Sequence, residues 1–436
     1  MVYDIVIGRD KTDKEKFGDN GLIYIGKGYV KMGNYTSLSN KIWMDVARNH
    51  IVLIAGKRGS GKSYTIGAIA EELSNLPQEN AKNIASLIFD TMGIFWTMKY
   101  KNEKDKLLLD EWDLKAKGLP VKVFIPFGKI EDYKAKNIPI DNTFALKSSE
   151  LEAEDWIVLF NLEIASLPGV LIERVISEFK ENRREFSLKD IQKAIEIDGK
   201  ASNEIKEIVS SLFKAADTWG IFSKSAEGTE IKDLVNAGTT TILDVSVYSS
   251  IGAFNVRALV ISLVLRKLFK TRMDARKKEE LEAIQHGQDY LAYKSINQEP
   301  LIWIFIDEAH EFLPREGKTP ATDALTQVLR EGRQPGLSLV LATQQPGQIH
   351  KDVMTQSDIV ISHRVTAKQD IDVLNEIMQT YVLEGIRQQM DALPSAKGSA
   401  IILDDNSERI YPVRVRPRFT WHGGESPSSV KEDIKL

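Results

Sequence analysis

The sequence predicts an α/β protein built on a mostly parallel sheet, interrupted by a helical insertion and preceded by a small β cap. Three patterns carry this prediction. A buried-type strand, Ile51 to Ala55, passes through a Gly-rich turn into a helix whose Ile66, Ile69, Ala70 and Leu73 recur at i, i+3, i+4 and i+7. Beyond residue 237, apolar strands alternate with helical segments, as parallel pairing requires. Between residues 150 and 236 strand signals are few and helical periodicity dominates.

In chain order, residues 1–49 read as short strands (Asp4 to Gly8, Leu22 to Gly26, Tyr29 to Met32) separated by Gly, Asn and charged turns, a reduced barrel-like cap. Residues 50–149 form the first part of the core, with strands at Ile51 to Ala55, Ala85 to Phe89 and Val121 to Pro126. The insertion spans 150–236, and Ser187 with Asp190 resembles a capping box opening one of its helices. The core resumes over 237–412 with Thr239 to Val245 and a long helix from Asn255 to about Glu282, which carries Val256, Leu259, Val260, Leu263 and Val264 on one face. The polar stretch 283–300 reads as an exposed loop. Strands follow at Ile302 to Ile306, Leu337 to Ala342, Ile359 to His363 and Ser399 to Leu403, before a tail at 413–436.

Composition narrows the chemistry. The 436 residues suffice for two or three domains, and 58 Lys plus Arg against 62 Asp plus Glu leave a net charge of -4, so any nucleic-acid surface must be local. The absence of cysteine excludes disulfides, thiolate metal sites and a catalytic thiol. The six His residues lack zinc-ligand spacing. With no membrane-length apolar run and no leader pattern, the expected location is the cytoplasm.

The sharpest motif is Gly56-Lys57-Arg58-Gly59-Ser60-Gly61-Lys62-Ser63, which matches the phosphate loop GxxxxGK[ST] between a strand and a helix. Gly56, Arg58, Gly59, Ser60, Gly61 and Tyr64 are expected to line the nucleotide, with backbone N–H groups curling round the phosphates at a helix N-terminus. Lys62 is expected to reach the β and γ phosphates, and Ser63 to ligate magnesium. The strand Ile302 to Ile306 delivers Asp307 and Glu308 at its end, the Walker B pattern, with Asp307 on the magnesium shell and Glu308 as the base that polarises water. Gln344, ending the next strand, is the expected γ-phosphate sensor. Arg330 and Arg333 are candidate fingers toward a neighbouring subunit's ATP, because a guanidinium can neutralise transition-state charge. Asp90 ends the second core strand, where it can tune the site or simply make a turn.

Taken with the Asp307-Glu308-Ala309-His310 run, Glu331-Gly332-Arg333, Ala342-Thr343-Gln344-Gln345 and the closing Arg416-Pro417-Arg418-Phe419, these motifs resemble the archaeal and bacterial HerA-like ATPases of the HerA/FtsK superfamily. The resemblance runs from about residue 20 to 422. It implies a RecA-like core of the P-loop ATPase type, a hexameric ring with ATP at subunit interfaces, and double-stranded DNA driven through a central pore. Family roles then fall on Lys62, Ser63, Asp307, Glu308 and Gln344 in cis and on Arg333 in trans. Two departures stand out. HerA carries a full β-barrel that docks the nuclease NurA, where this chain has only the short segment before residue 50, and Thr91-Met92-Gly93-Ile94 lacks the acidic residue expected after its Gly. The run at Asp307 does not make a DEAH-box helicase, since the 126 residues after His310 leave no room for a second RecA domain. Nor is a GTPase indicated, because the Asn40-Lys41 pair precedes the phosphate loop.

The expected function is therefore a magnesium-dependent ATPase that translocates on or unwinds double-stranded DNA without base readout, as a homohexamer serving DNA end processing or repair with a NurA-like nuclease. The alternative is an ATP-gated oligomeric scaffold that recruits an effector without moving DNA. Candidate pore segments are Lys99 to Lys106 and Arg315 to Lys318, because phosphate contacts repeated around a ring can make a basic pore from an acidic chain. The charged stretch Arg272 to Lys278 reads as an exposed helix end.

Overall fold

Thirteen strands pair into one sheet in the computed structural model, which describes residues 3–32, 35–182, 185–224, 228–249, 254–286, 299–365, 367, 370–374 and 386–424. The strands are β1 (Ile5–Ile7), β2 (Leu22–Met32), β3 (Tyr35–Asp45), β4 (Ile51–Ala55), β5 (Ile84–Asp90), β6 (Lys122–Pro126), β7 (Asn142–Phe144), β8 (Thr240–Asp244), β9 (Leu301–Ile306), β10 (Leu337–Thr343), β11 (Ile359–His363), β12 (Ser399–Asp404) and β13 (Arg409–Val415). Their order is β1-β3-β2-β13-β12-β11-β4-β10-β9-β5-β8-β6-β7. From β11 to β7 every pairing is parallel. These central strands read as unbroken apolar runs because helices cover both faces, and the strand residues of β4, β5, β8 and β10 are buried throughout.

The first 45 residues do not stand apart as a cap. β2 pairs antiparallel with β13, which pairs with β12, so the N-terminal strands prolong the central sheet. The expected strands Leu22 to Gly26 and Tyr29 to Met32 are one long strand, kept paired through the intervening glycines by register shifts at Tyr24/Gly26 and Lys27/Tyr29. The segment placed in a tail also enters the core: Arg416 and Arg418 are fully buried. Residues 425–436, the part read as mobile, lie outside the described residues.

Between β7 and β8 the chain forms helices Ala153–Leu159, Leu167–Glu181, Leu188–Ile197, Asn203–Thr218 and Ile231–Leu234. Trp156 anchors them, its ring 4.9 Å from Phe213 and 5.1 Å from Phe222. The capping box is present, with the Asp190 carboxylate accepting from the Ser187 N–H at 2.9 Å. The long helix runs Phe254–Gln285. Its basic stretch is not simply exposed: Arg272 is buried, donating to the Pro335 and Glu299 carbonyls at 2.9 and 2.8 Å. Most of the expected 283–300 loop lies outside the described residues. Among the described residues, no helix is long and apolar enough to cross a membrane.

Candidate nucleotide site

The parallel strands end along one edge of the sheet, and that edge collects the motif residues. β4 delivers the phosphate loop, β9 ends at Asp307, and β10, between them, ends at Gln344. Two glycines show why the loop needs that residue. A Cβ on Gly56 would lie 2.5 Å from Ser60 Oγ and 2.7 Å from His363 Cβ. Gly61 sits at φ 114 as the helix Lys62–Leu73 begins, a conformation that side-chain-bearing residues rarely adopt.

Lys62, only 6% exposed, turns its ammonium back to the Lys57 carbonyl at 3.3 Å. Burial pushes its pKa down, against the charges of Glu308 and Asp307 that hold it protonated. Ser63 Oγ donates to Asp307 Oδ2 at 2.5 Å, joining residues 244 positions apart. Asp307 Oδ1 accepts from the Glu308 N–H at 2.9 Å. Glu308 itself adopts φ 52 and ψ 44, a left-handed conformation that costs a non-glycine residue on the order of 1 kcal/mol and turns its side chain out of the strand direction. Gln344 Nε2 donates to Glu308 Oε1, while Oε2 is buried without a hydrogen-bond partner, 3.6 Å from His310 Nδ1. Burial, reinforced by the Asp307 charge, raises the Glu308 pKa, and burial lowers that of His310.

The structure thus brings together Gly56, Gly59, Ser60, Gly61, Lys62, Ser63, Asp307, Glu308 and Gln344. Arg58 stands exposed in the loop. Tyr64 does not face the loop with its hydroxyl: that group accepts from the Arg418 N–H at 2.6 Å, and its ring meets His422 edge-on at 5.3 Å. The physical reason is helical periodicity, which turns Tyr64 about 100° from Ser63 toward the C-terminal segment. Arg330 and Arg333 lie far from the loop of their own chain. Arg330 Nε donates to Asp352 Oδ2 at 2.6 Å. Arg333 is exposed in the turn before β10, at the opposite edge of the sheet, beside a cavity of about 300 Å³ shared with Arg48, Arg272 and Arg276.

Asp90 is fully buried, accepting from the N–H groups of Met92, Gly93, Ile94 and Phe95 at 3.2, 2.7, 3.2 and 2.8 Å. It pairs in register with Asp244 on β8, another buried acid. Burial raises the pKa of both, the Asp244 charge adding to the effect on Asp90. Acids whose folded pKa is raised stabilise the fold fully below the unfolded value and lose that contribution as pH rises through the folded value. Asp244→Asn, which mimics the protonated partner, is therefore expected to raise Tm by a few degrees near pH 8 and to change it little near pH 4, read by calorimetry across that range.

Two supports of the site have no motif to announce them. His363, at the end of β11, is fully buried beneath the loop; its Nδ1 donates to the Ser399 carbonyl at 3.1 Å, which leaves Nε2 to accept from Thr65 Oγ1 at 2.9 Å. Burial pushes its pKa down to about 4, so it serves as a neutral strut. Glu71, on the same helix as Lys62, is fully buried and accepts from Arg416 Nη1 at 2.9 Å, Arg418 Nε at 3.0 Å, and the Phe419 and Thr420 N–H groups at 3.2 and 3.0 Å. The C-terminal segment is thereby fastened to the helix that starts at the phosphate loop.

The proposed pore segments are on the surface. Lys99 pairs with Asp141 at 2.6 Å and Lys101 with Glu103; Arg315 is exposed, donating to the Gly347 carbonyl at 3.2 Å, and Lys318 pairs with Asp323 at 3.0 Å.

Comparison with known proteins gives the family and the fold. The family model described as Helicase HerA, central domain, matches residues 30–268, more than half of the chain, and that of the Zonular occludens toxin (Zot) matches residues 252–381. A probable helicase, MJ1565, of Methanocaldococcus jannaschii is 22% identical across 93% of this chain and 70% of its own length. The DNA double-strand break repair helicase HerA of Sulfurisphaera tokodaii is 21% identical across 93% of this chain and 73% of its own. VirB4 of Thermoanaerobacter pseudethanolicus shares the fold, with a TM-score of 0.58 at 12% identity over 92% of this chain and 98% of that one.

Proposed function

Because the chain belongs to the family of the HerA helicase central domain and is an ATP-hydrolysing enzyme of the HerA/FtsK type, we propose that it is a DNA motor: a ring-forming ATPase that moves on or unwinds double-stranded DNA. The observation that carries the reading is the cluster at the sheet edge, where Ser63 meets Asp307 at 2.5 Å and Gln344 holds Glu308 beside the phosphate loop. Such a loop, two acids and an amide are what ATP hydrolysis asks of a protein.

In this reading the loop N–H groups and Lys62 bind the β and γ phosphates. The Ser63 hydroxyl and Asp307 carboxylate are hard oxygen donors that fit the shell of a magnesium ion, which when bound neutralises phosphate charge. Glu308 takes the proton of the attacking water through its unpartnered Oε2, and Gln344 orients both. Arg333 completes a neighbour's site in a hexamer. The relatives' names point to double-strand break repair, and the proposed setting is DNA end processing beside a nuclease.

The test is the ATPase rate with and without linear double-stranded DNA, on protein whose mass is read by light scattering with a non-hydrolysable ATP analogue. A hexamer-sized particle with DNA-stimulated turnover is expected; a ring whose turnover ignores DNA favours the scaffold. Lys62→Ala is expected to weaken ATP binding about 100-fold or more, because it removes the charge facing the phosphates, and titration of a fluorescent ATP analogue reads this directly.

A further inference from the structure

We propose that a row of three cations across β3, β2 and β13 is a contact surface for the phosphate backbone of DNA, separate from the ATP site. The row is set by register: Lys41 on β3 lies directly opposite Lys27 on β2, and Lys27 directly opposite Arg414 on β13. Like charges in directly opposed cross-strand positions destabilise a sheet, and here two such pairs adjoin. Adjacent strands are about 4.8 Å apart, so the row spans roughly 10 Å, close to the rise of three successive nucleotides of one DNA strand.

Among the described residues, none of the three cations forms an ion pair with a carboxylate within 4.0 Å. Asp4 instead accepts from Trp43 Nε1 at 3.0 Å, and Glu72 pairs with Arg416 at 3.0 Å. The cations are held on aromatic rings: Lys27 Nζ lies 4.8 Å from the centre of Trp112, Arg414 Cζ 5.9 Å from the same ring, and Lys41 Nζ 5.9 Å from Tyr24. Tyr24 packs against Trp112 with ring centres 6.5 Å apart, and against Trp43 at 5.3 Å, so the floor is one aromatic cluster. Rings of this kind fix where a charge stands without cancelling it, which suits binding to a polyanion.

Trp112 and Tyr24 are buried beneath the cations, which leaves little ring face for base stacking and favours sequence-independent contact with phosphates over recognition of single-stranded bases. Lys41 is exposed, and Lys27 and Arg414 are half-buried, so all three can reach a ligand. This inference rests on the DNA-motor reading and adds to it a surface outside the two loops named from sequence.

The experiment measures affinity for a short linear duplex over a series of salt concentrations, comparing wild type with Lys27→Gln/Lys41→Gln/Arg414→Gln. The slope of log K against log salt is expected to fall by about 2 to 3, at roughly 0.9 for each phosphate no longer neutralised, with affinity at low salt reduced at least 10-fold. DNA-independent ATPase is expected to stay at the wild-type rate, since none of the three belongs to the nucleotide site. Charge-preserving Lys27→Arg/Lys41→Arg should keep the wild-type slope, separating the effect of charge from that of packing. A wild type that binds duplex while the triple variant keeps both slope and affinity overturns the surface alone. A wild type with no duplex affinity overturns the motor reading and the surface together. Binding to phosphatidylserine vesicles that the triple variant abolishes, with DNA affinity untouched, also overturns the proposal.

Discussion

Glu308→Gln is expected to leave ATP binding within a few-fold of wild type and to lower turnover by about 100- to 10,000-fold, the usual worth of a positioned general base. The substitution keeps the shape of the side chain and the left-handed backbone at φ 52, which is fixed by the strand end rather than by the charge. The amide can still meet Gln344, whose Nε2 donates to Oε1 in the wild type. What is lost is the carboxylate Oε2, buried without a hydrogen-bond partner and so available to accept a proton from water. Because burial and Asp307 raise the Glu308 pKa, wild-type turnover should fall as pH drops through that raised value, while the residual rate of the variant should lack this limb. Turnover of Glu308→Gln at the wild-type rate would refute the assigned base. Loss of binding with loss of turnover would make Glu308 a structural element of the site.

The central sheet was legible because its strands are buried on both faces, so that each is a continuous apolar run bounded by turns. β3 and β13 were not. Tyr35 to Asp45 mixes Ser, Asn and Lys with Ile, Trp and Met, the weak apolar pattern of a half-exposed strand, although its partner β2 directly precedes it in the chain. β13 contains Pro412, a residue usually confined to sheet edges. It is tolerated because pairing with β2 begins only at Val413, so the missing N–H faces no neighbour there. The nucleotide site shows the same division. The phosphate loop and the Asp307-Glu308 pair are compact runs whose chemistry is local. His363 beneath the loop, Glu71 gripping Arg416 and Arg418, and Arg272 holding the Pro335 carbonyl join segments hundreds or tens of residues apart; Arg416-Pro417-Arg418-Phe419 stands out as a motif, but nothing in the sequence marks Glu71 as its partner or His363 and Arg272 as supports. Tyr64 is the converse case: adjacent to the motif in sequence, it is turned away by the helix it belongs to.

Arg333→Ala is expected to reduce turnover on the order of 1,000-fold with ATP binding intact, and the fold requires that any such effect act between subunits. β10 separates Arg333 from Gln344. Its residues Leu337–Thr343, at about 3.3 Å each, put more than 20 Å between that turn and the sheet edge where Ser63, Asp307 and Glu308 meet. No rotamer of an arginine spans that distance, so Arg333 cannot serve its own phosphate loop. Its turn is instead rigidly presented at the opposite edge: the Gly336 N–H donates to the Gly332 carbonyl at 3.1 Å, and buried Arg272 holds the Pro335 carbonyl at 2.9 Å. Arg330 is a weaker candidate because Asp352 already neutralises it. The decisive measurement mixes Arg333→Ala with Glu308→Gln, each nearly inactive alone. An Arg333→Ala subunit keeps its base and can borrow the arginine of a Glu308→Gln neighbour, so random head-to-tail rings contain roughly a quarter of competent interfaces. Turnover approaching that fraction of wild type is the expected result. Mixed rings that remain as inactive as either parent would place the effect of Arg333 within its own subunit, against the geometry of the sheet.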